Sequence, residues 1–307
     1  MAHVYDMVII GGGPGGYSAA LYAARAGLDV VVLEKLSAGG QMALTHQVDN
    51  YPGFAQGIDG FTLGMQMQEG AERFGAKTEY VEVLSLDLKS DPKRIATSEG
   101  DFYGKTVIYA AGAGPRKLEL PEEKQLAGRG IHYCAACDGM FYKGKTVVVV
   151  GGGNSAVADA LILSRIAQKV ILVHRRDTLR AEKVYLKALE EAGNLEFRWN
   201  SIVSQVTHED RVNGVILKDV KSGAESEIPC DAVFVSVGRI PNTDLLKGQA
   251  ELDSHGYAVA GESCRTNIPG VFAVGDVRTK ALRQIVTAAA DGAIAVHYAE
   301  EYLAGLH

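Results

Sequence analysis

The chain has 307 residues, 47% of them hydrophobic and 22% charged, with a formal net charge of −6. That length allows two domains of about 150 residues each, and the composition is that of a globular protein. The acidic balance leaves no broad basic field for nucleic acid or anionic membrane, no apolar run approaches the roughly 18 residues of a membrane span, and the start of the chain carries no basic segment or cleavage site of a secretory signal.

Residues 7–33 read as strand, glycine turn, helix and strand. Met7-Val8-Ile9-Ile10 is the apolar run of a parallel strand covered on both faces. Gly11-Gly12-Gly13-Pro14-Gly15-Gly16 follows and contains G-x-G-x-x-G at Gly11, Gly13 and Gly16. The alanine-rich residues 18–26 predict a helix, which Gly27 ends. Glu34 closes the next strand, 23 residues after Gly11. An acid at that distance accepts hydrogen bonds from ribose hydroxyls, and the glycines let a pyrophosphate approach the free N–H groups of the helix start. Strand, turn, helix, strand and acid together predict a dinucleotide site.

Two loops, Ala38-Gly39-Gly40-Gln41 and Asp49-Asn50-Tyr51-Pro52-Gly53, suit backbone and amide contacts with a flat ligand, or plain turns. Residues 61–74 predict a helix, and residues 78–103 a small antiparallel sheet. A buried strand at 106–110 runs into Ala111-Gly112-Ala113-Gly114-Pro115, which marks a domain boundary.

A second unit begins at Lys145. A strand at 146–150 leads into Gly151-Gly152-Gly153-Asn154-Ser155-Ala156, a G-x-G-x-x-A, and a helix is expected to about residue 167. Lys169 opens the next strand, and His174 stands 23 residues after Gly151, where the first unit has Glu34. Arg175, Arg176 and Arg180 follow. An acid there repels a 2′-phosphate, whereas arginines bind one bidentately, so the second site is expected to prefer NADPH over NADH. Both units close on a strand followed by G-x-x-P, at Gly112 and at Gly238, which indicates a diverged duplication. After Asn242 the chain is expected to return to the first domain. A strand at 271–274 ends in Gly275-Asp276, and Arg283-Gln284-Ile285 opens a small-residue helix through 295. Asp276 suits the sugar-alcohol chain of a flavin, or an ordinary turn.

Between the two fingerprints lies Tyr133-Cys134-Ala135-Ala136-Cys137-Asp138-Gly139. One helical turn brings cysteines three apart within disulfide reach, and such a pair tends to hold one thiol with a depressed pKa. A structural zinc needs four ligands, yet Cys230 and Cys264 are isolated and no second ligand cluster accompanies nearby His132. Beside two dinucleotide fingerprints the redox reading is favoured, and a single redox disulfide fits a reducing cytoplasm.

These stretches carry a family resemblance. The chain resembles low-molecular-weight thioredoxin reductases over nearly its whole length, in GGGPGG at 11–16, GGQ at 39–41, DNYPG at 49–53, CAACD at 134–138, GGGNSA at 151–156, HRRDTLR at 174–180 and GDVRTKALRQI at 275–285. The resemblance implies an α/β protein of two Rossmann-like domains, with an NADPH domain at 115–242 inserted into an FAD domain at 1–114 and 243–307. It implies a homodimer that reduces thioredoxin in the cytoplasm, with hydride passing from NADPH to FAD and electrons then to the Cys134–Cys137 disulfide. Cys137 is implied to face the flavin, Cys134 to attack thioredoxin, and Asp138 to carry the proton. FAD is implied to be held by Gly11, Gly13, Pro14, Gly16, Glu34, Gly39, Gly40, Gln41, Asn50, Gly112, Gly275, Asp276, Arg283, Gln284 and Ile285. NADPH falls to Gly151, Gly153, Asn154, Ser155, Ala156, His174, Arg175, Arg176, Arg180 and Gly238. The family answers the problem of bringing both NADPH and the disulfide to one flavin by rotating its domains, and the hinges here are expected near Gly114-Pro115 and Pro241-Asn242.

Two positions depart from the family pattern: Ala136 stands where Thr is common between the cysteines, and Ala111 where A-T-G is common before Gly112. The rival readings are a flavin oxidase that makes disulfides in small molecules, a flavoprotein that reduces peroxiredoxins, and a non-catalytic redox sensor. The arginine cluster counts against the oxidase. Gly11 begins too early for the N-terminal thiol module of the second, and for the sensor the Cys134–Cys137 pair would be the switch.

Overall fold

A computed structural model describes residues 3–45, 47–181, 187–189 and 191–306. The chain forms two compact units, Met1–Gly114 with Ile240–His307, and Pro115–Arg239.

The first unit opens with β1 (Val4–Ile10), α1 (Pro14–Arg25) and β2 (Val30–Glu34). Proline at the first helical position costs no hydrogen bond, because that N–H has no partner inside the helix. Next come α2 (Gly60–Glu72), capped by Asp59 Oδ1 accepting from Thr62 N at 2.8 Å, and β3 (Lys77–Tyr80). β4 (Val83–Asp87), β5 (Lys93–Thr97) and β6 (Gly100–Tyr109) then run as an antiparallel meander. Residues 77–80 therefore do not join the antiparallel sheet expected over 78–103; they pair parallel with β2.

The chain leaves the first unit through β7 (Ala113–Pro115) and builds α3 (Glu123–Leu126), β8 (Ile131–His132) and α4 (Ala135–Asp138). β9 (Thr146–Val150), α5 (Asn154–Ser164) and β10 (Lys169–Val173) follow, then β11 (Leu195–Arg198). β12 (Ser201–His208), β13 (Val212–Asp219) and β14 (Glu225–Pro229) form a three-stranded antiparallel sheet. β15 (Ala232–Val235) completes the unit, β16 (Arg239–Pro241) leads out, and the first unit is finished by β17 (Val271–Ala273) and α6 (Ile285–Ala304). Asn242 N donates to Gly112 O at 3.0 Å, so Asn242, expected to close the inserted domain, is bonded into the first unit.

In the first unit the parallel strands lie in the order β3-β2-β1-β6-β17, with β1 central. β6 serves two partners: its start pairs with β5 and its end, Val107 to Tyr109, with β17. Met7, Ile9, Val32 and Ile108 face α1 and α6, while Val8, Ile10, Val31 and Val107 face a second layer with Leu246 and Ala258. A sheet buried on both faces needs unbroken apolar strands, which the sequence supplies. Alanines line the contact of α1 with α6, and at Gly292 a Cβ would lie 2.3 Å from Gly15 O, so only glycine allows the helices this close.

The second unit has five parallel strands in the order β11-β10-β9-β15-β8. The same order recurs, with one change of connectivity. The place that β17 takes at the end of the first unit is taken in the second by β8, the strand on which the chain enters.

Candidate active site

The first glycine loop leaves the carboxyl end of β1. Gly11 has a φ of +103°, and a Cβ on it would lie 2.6 Å from Ala110 O. At Gly16 a Cβ would fall 1.9 Å from Gly11 O, whereas Gly13 has open space beside it. Pro14 then starts α1, whose first N–H groups point into that space, an arrangement that favours an anion. Glu34 Oε2 accepts from Gly12 N at 2.7 Å and Oε1 from Leu36 N at 3.0 Å, which fixes the carboxylate at the rim while each oxygen keeps a lone pair. Gly39 N donates to Gly12 O at 2.8 Å, Gly40 lies against Gly13, and Gln41 is exposed beside them.

The 275–276 turn and the start of α6 meet this loop: a Cβ on Gly15 would lie 3.2 Å from Ala288 O and 3.7 Å from Gly275 N. Gly275 N donates to Asp291 Oδ2 at 2.8 Å, and Asp291 also binds Arg278 at 2.7 Å and Lys280 at 2.7 Å, all three side chains being buried. Arg278 and Lys280 hold the Asp291 carboxyl below its ordinary pKa, although burial pushes it the other way. Arg283 donates to Asp276 O at 3.2 Å and to Arg278 O at 3.0 Å and stacks on Tyr257. Gln284 precedes α6, with its Oε1 accepting from Asn50 Nδ2 at 3.0 Å, and Ile285 is half-buried as the first helical residue. Gly112, in the turn after β6, has a φ of +70°. A cradle that any Cβ would fill, ringed by these polar groups, fits an FAD.

The second glycine loop leaves β9. Gly151 is in a positive-φ conformation, and a Cβ on it would lie 2.4 Å from Ser236 O. Ala156 carries its Cβ here, fully buried against Gly151, where the first unit tolerates only Gly16. Gly153 has open space, and Asn154 and Ser155 begin α5 exposed beside it. His174 is not on the rim with its arginines. Its ring lies under Gly152, where a Cβ would be 2.2 Å from it, and its Nε2 is buried with no hydrogen-bond partner. Burial lowers its pKa first, and Arg180, Arg176 and Arg175 lower it further, so it is neutral. The positive charge comes from Arg175, Arg176 and Arg180, which are exposed. Arg180 N donates to Gly152 O at 2.7 Å, and Gly238 O accepts from Arg116 N at 2.9 Å. An orphaned buried nitrogen beneath a glycine loop flanked by three cations fits a nucleotide with an added phosphate.

Cys134 and Cys137 are joined by a disulfide with a Cα–Cα distance of 5.3 Å. Both are half-buried, on the turn that follows β8 at its carboxyl end, and Ala136 between them is exposed. Asp138 N donates to Cys134 O at 3.0 Å, closing the turn of α4. Behind it, Asp159 on α5 accepts from the Ala135 N–H and from Ser236 Oγ, and burial raises its pKa. Met140 and Phe141, just beyond, expose 59% and 51% of their surface, an apolar patch beside the disulfide. A half-exposed disulfide with a neighbouring acid suits exchange with an incoming thiol or disulfide.

The sequence profile of the pyridine nucleotide-disulphide oxidoreductases matches residues 5–292. The chain belongs to that family. Within it, the protein is 44% identical to a thioredoxin reductase of Treponema pallidum over 299 residues, covering 97% of each chain, and 46% identical to one of Streptomyces clavuligerus, covering 100% of this chain and 96% of the other. The solved thioredoxin reductase of Streptococcus pyogenes matches with a TM-score of 0.91 at 42% identity, over 99% of this chain and 100% of that one. The thioredoxin reductases of the pyridine nucleotide-disulphide oxidoreductase family use FAD and NADPH. The α/β fold of two Rossmann-like units expected from the sequence is that of these structural neighbours. No described helix is long and apolar enough to cross a membrane.

Four side chains at these sites escape a reading of the sequence. Asp291 interrupts an alanine-rich helix, which is the one local sign of its buried cations. Asp159, His132 and Tyr142 carry no such sign, because their partners come from other elements.

Proposed function

We propose that this protein is an NADPH-dependent thioredoxin-disulfide reductase. The observation that carries the reading is the half-exposed Cys134–Cys137 disulfide with Asp138 beside it, in a chain similar over its full length to thioredoxin reductases. FAD, when bound, supplies a two-electron relay between the pyridine nucleotide and the disulfide. Gly11, Gly13, Gly16, Glu34 and the 275–285 segment hold that group, and the 151–156 loop with Arg175, Arg176 and Arg180 holds NADPH.

Once the pair is a dithiol, its own residues do the remaining chemistry. The Cys134 thiolate attacks a sulfur of the thioredoxin disulfide, an S–S bond forms between the proteins, and the expelled thioredoxin thiolate takes a proton. Cys137, giving up its proton, then attacks Cys134. The internal disulfide returns, and the second thioredoxin sulfur leaves as a thiolate that is protonated in turn. Two protons thus move from the enzyme's thiols to thioredoxin, and Asp138 is the group that moves them. Met140 and Phe141 give the incoming protein an apolar surface to cover. The same reading makes the enzyme a cytoplasmic homodimer.

The test is steady-state oxidation of NADPH by the holoenzyme, with thioredoxin disulfide, with a small-molecule disulfide and with neither. The reading requires turnover that depends on thioredoxin and is lost in Cys134→Ser. Equal rates with the small disulfide would assign a different substrate, and no dependence on either would remove the reductase activity.

A further inference from the structure

Beside Asp138, two buried polar side chains, His132 and Tyr142, play no part in the exchange chemistry above. Asp138 Oδ2 lies 3.0 Å from His132 Nδ1, with 19% and 6% of the two side chains exposed. The other ring nitrogen, Nε2, lies 2.7 Å from the Tyr142 hydroxyl. Arg211 Nη2 donates to the same hydroxyl at 3.4 Å. The imidazole is held flat against Phe234, with ring centres 5.3 Å apart and planes 26° apart, and Tyr142 stands edge-on to both. Four residues, from α4, the turn after α4, the β12–β13 loop and β15, thus fix one ring on β8.

The donors among these side chains run in one direction. A guanidinium only donates, so the Tyr142 oxygen accepts from Arg211; an ionised carboxylate only accepts, so Nδ1–H donates to Asp138, and the Tyr142 O–H donates to the Nε2 of the neutral ring. Burial pushes the Tyr142 phenol above its ordinary pKa, against a smaller opposing pull from Arg211, so that proton stays on. A neutral ring that accepts at Nε2 carries its hydrogen on Nδ1, and Nδ1–H points at Asp138 Oδ2. The order is Arg211 to Tyr142 to His132 to Asp138.

We propose that His132 is a positioning residue for the proton transfers of thiol–disulfide exchange. It clamps Asp138 by one carboxylate oxygen, Oδ2, and leaves the other for protons passing between the cysteines and thioredoxin. Tyr142, oriented by Arg211, sets the tautomer that makes the clamp. The inference rests on the reading of Asp138 as the proton carrier. It adds no reactant: the two protons delivered to thioredoxin are those of the Cys134 and Cys137 thiols.

The test uses variants of the FAD-loaded enzyme. His132→Phe keeps a flat ring on Phe234 and removes both nitrogens. It lowers kcat with thioredoxin about tenfold or more, the scale on which loss of an orienting partner is felt. KM for thioredoxin, the melting temperature and NADPH oxidation by ferricyanide stay at wild-type values. His132→Asn puts an amide N–H near the place of Nδ1–H and restores most of kcat. Tyr142→Phe releases Nε2, so the ring-15N spectrum of His132 changes from the Nδ1–H tautomer to a mixture, and kcat drops about two- to threefold, as expected when only part of the population keeps the productive tautomer. Wild-type kcat in a folded His132→Phe overturns the proposal, and so does a His132→Asn as slow as His132→Phe. If His132→Phe does not fold, the Tyr142→Phe spectrum decides: an unchanged Nδ1–H signal with unchanged kcat overturns it. A slow Asp138→Asn with a normal His132→Phe removes the clamp alone, whereas a normal Asp138→Asn removes the proton-carrier reading beneath it.

Discussion

The backbone N–H of Arg180 donates to Gly152 O at 2.7 Å, so the arginine segment is tied to the glycine loop it serves. The backbone that carries these cations is thereby held against the second glycine turn. Charge-assisted hydrogen bonds are worth about 1.5–3 kcal/mol each. Changing Arg175 and Arg176 together to Ala is expected to raise KM for NADPH at least tenfold and to leave KM for NADH within about twofold, on that scale. Steady-state kinetics with both nucleotides checks this, and equal losses for the two would remove the 2′-phosphate assignment.

The cysteines are expected to differ in what they trap. In Cys137→Ser, Cys134 attacks a single-cysteine thioredoxin whose remaining sulfur is held as a mixed disulfide with thionitrobenzoate; thionitrobenzoate leaves, and the protein–protein disulfide accumulates because neither partner has a resolving thiol. In Cys134→Ser it does not. Non-reducing electrophoresis and mass spectrometry read the adduct, and an adduct confined to Cys134→Ser would reverse the two roles.

Asp138→Asn retains size, and the Asp138 side chain makes no cap hydrogen bond that could be lost, but Asn cannot carry a proton. Turnover with thioredoxin is expected to fall severalfold or more, toward the ~10²-fold typical of a lost general acid, with the melting temperature unchanged. Near-normal turnover would leave Asp138 a structural residue.

Asp291 stands between two buried cations and the Gly275 N–H. Replacing it with Asn leaves Arg278 and Lys280 short of their counter-charge, and removal of one partner of a buried pair costs about 3–5 kcal/mol. Denaturant melts at pH 7 are expected to show a loss of that order. The pH dependence follows from the depressed pKa of Asp291. Its stabilisation is present above the unfolded carboxyl value of about 3.9 and fades as pH falls through the lower folded value. The gap between wild type and Asp291→Asn should therefore narrow below about pH 4. A constant gap down to pH 2 would show that the charge is not what stabilises.

The glycine fingerprints, the acid and the arginine cluster were legible because each is local: a turn, a helix start and one residue at a fixed spacing. The strands β1, β9 and β10 were legible for the same reason, being unbroken apolar runs. Lys77–Tyr80 is short and mostly exposed, so its sequence does not separate it from the antiparallel strands that follow; only its pairing with β2 decides its sheet. α6 runs through residue 304, beyond the expected end at 295, because its small-residue face continues along α1. In the sequence His132 reads only as a possible metal ligand beside the cysteines, because Arg211 and Phe234, its partners in the fold, lie far along the chain. Sequence adjacency groups His174 with the arginines, but side chains alternate faces at a strand end, and its ring lies inward beneath Gly152.

The entry of the chain into the second unit on β8 has a consequence for the order of assembly. Residues 115–239 hold every strand of their own parallel sheet, so this unit can close as soon as it has emerged from the ribosome. The first unit begins earlier and finishes later, because Met7, Ile9 and Ala19 share a core with Phe272, Ala295 and Ala299. During synthesis β1, β2 and α1 therefore wait, with their apolar faces uncovered, for the last 37 residues or so of the chain. A chain truncated at residue 260, which lacks β17 and α6, should resist protease over the second unit and be cut within the first.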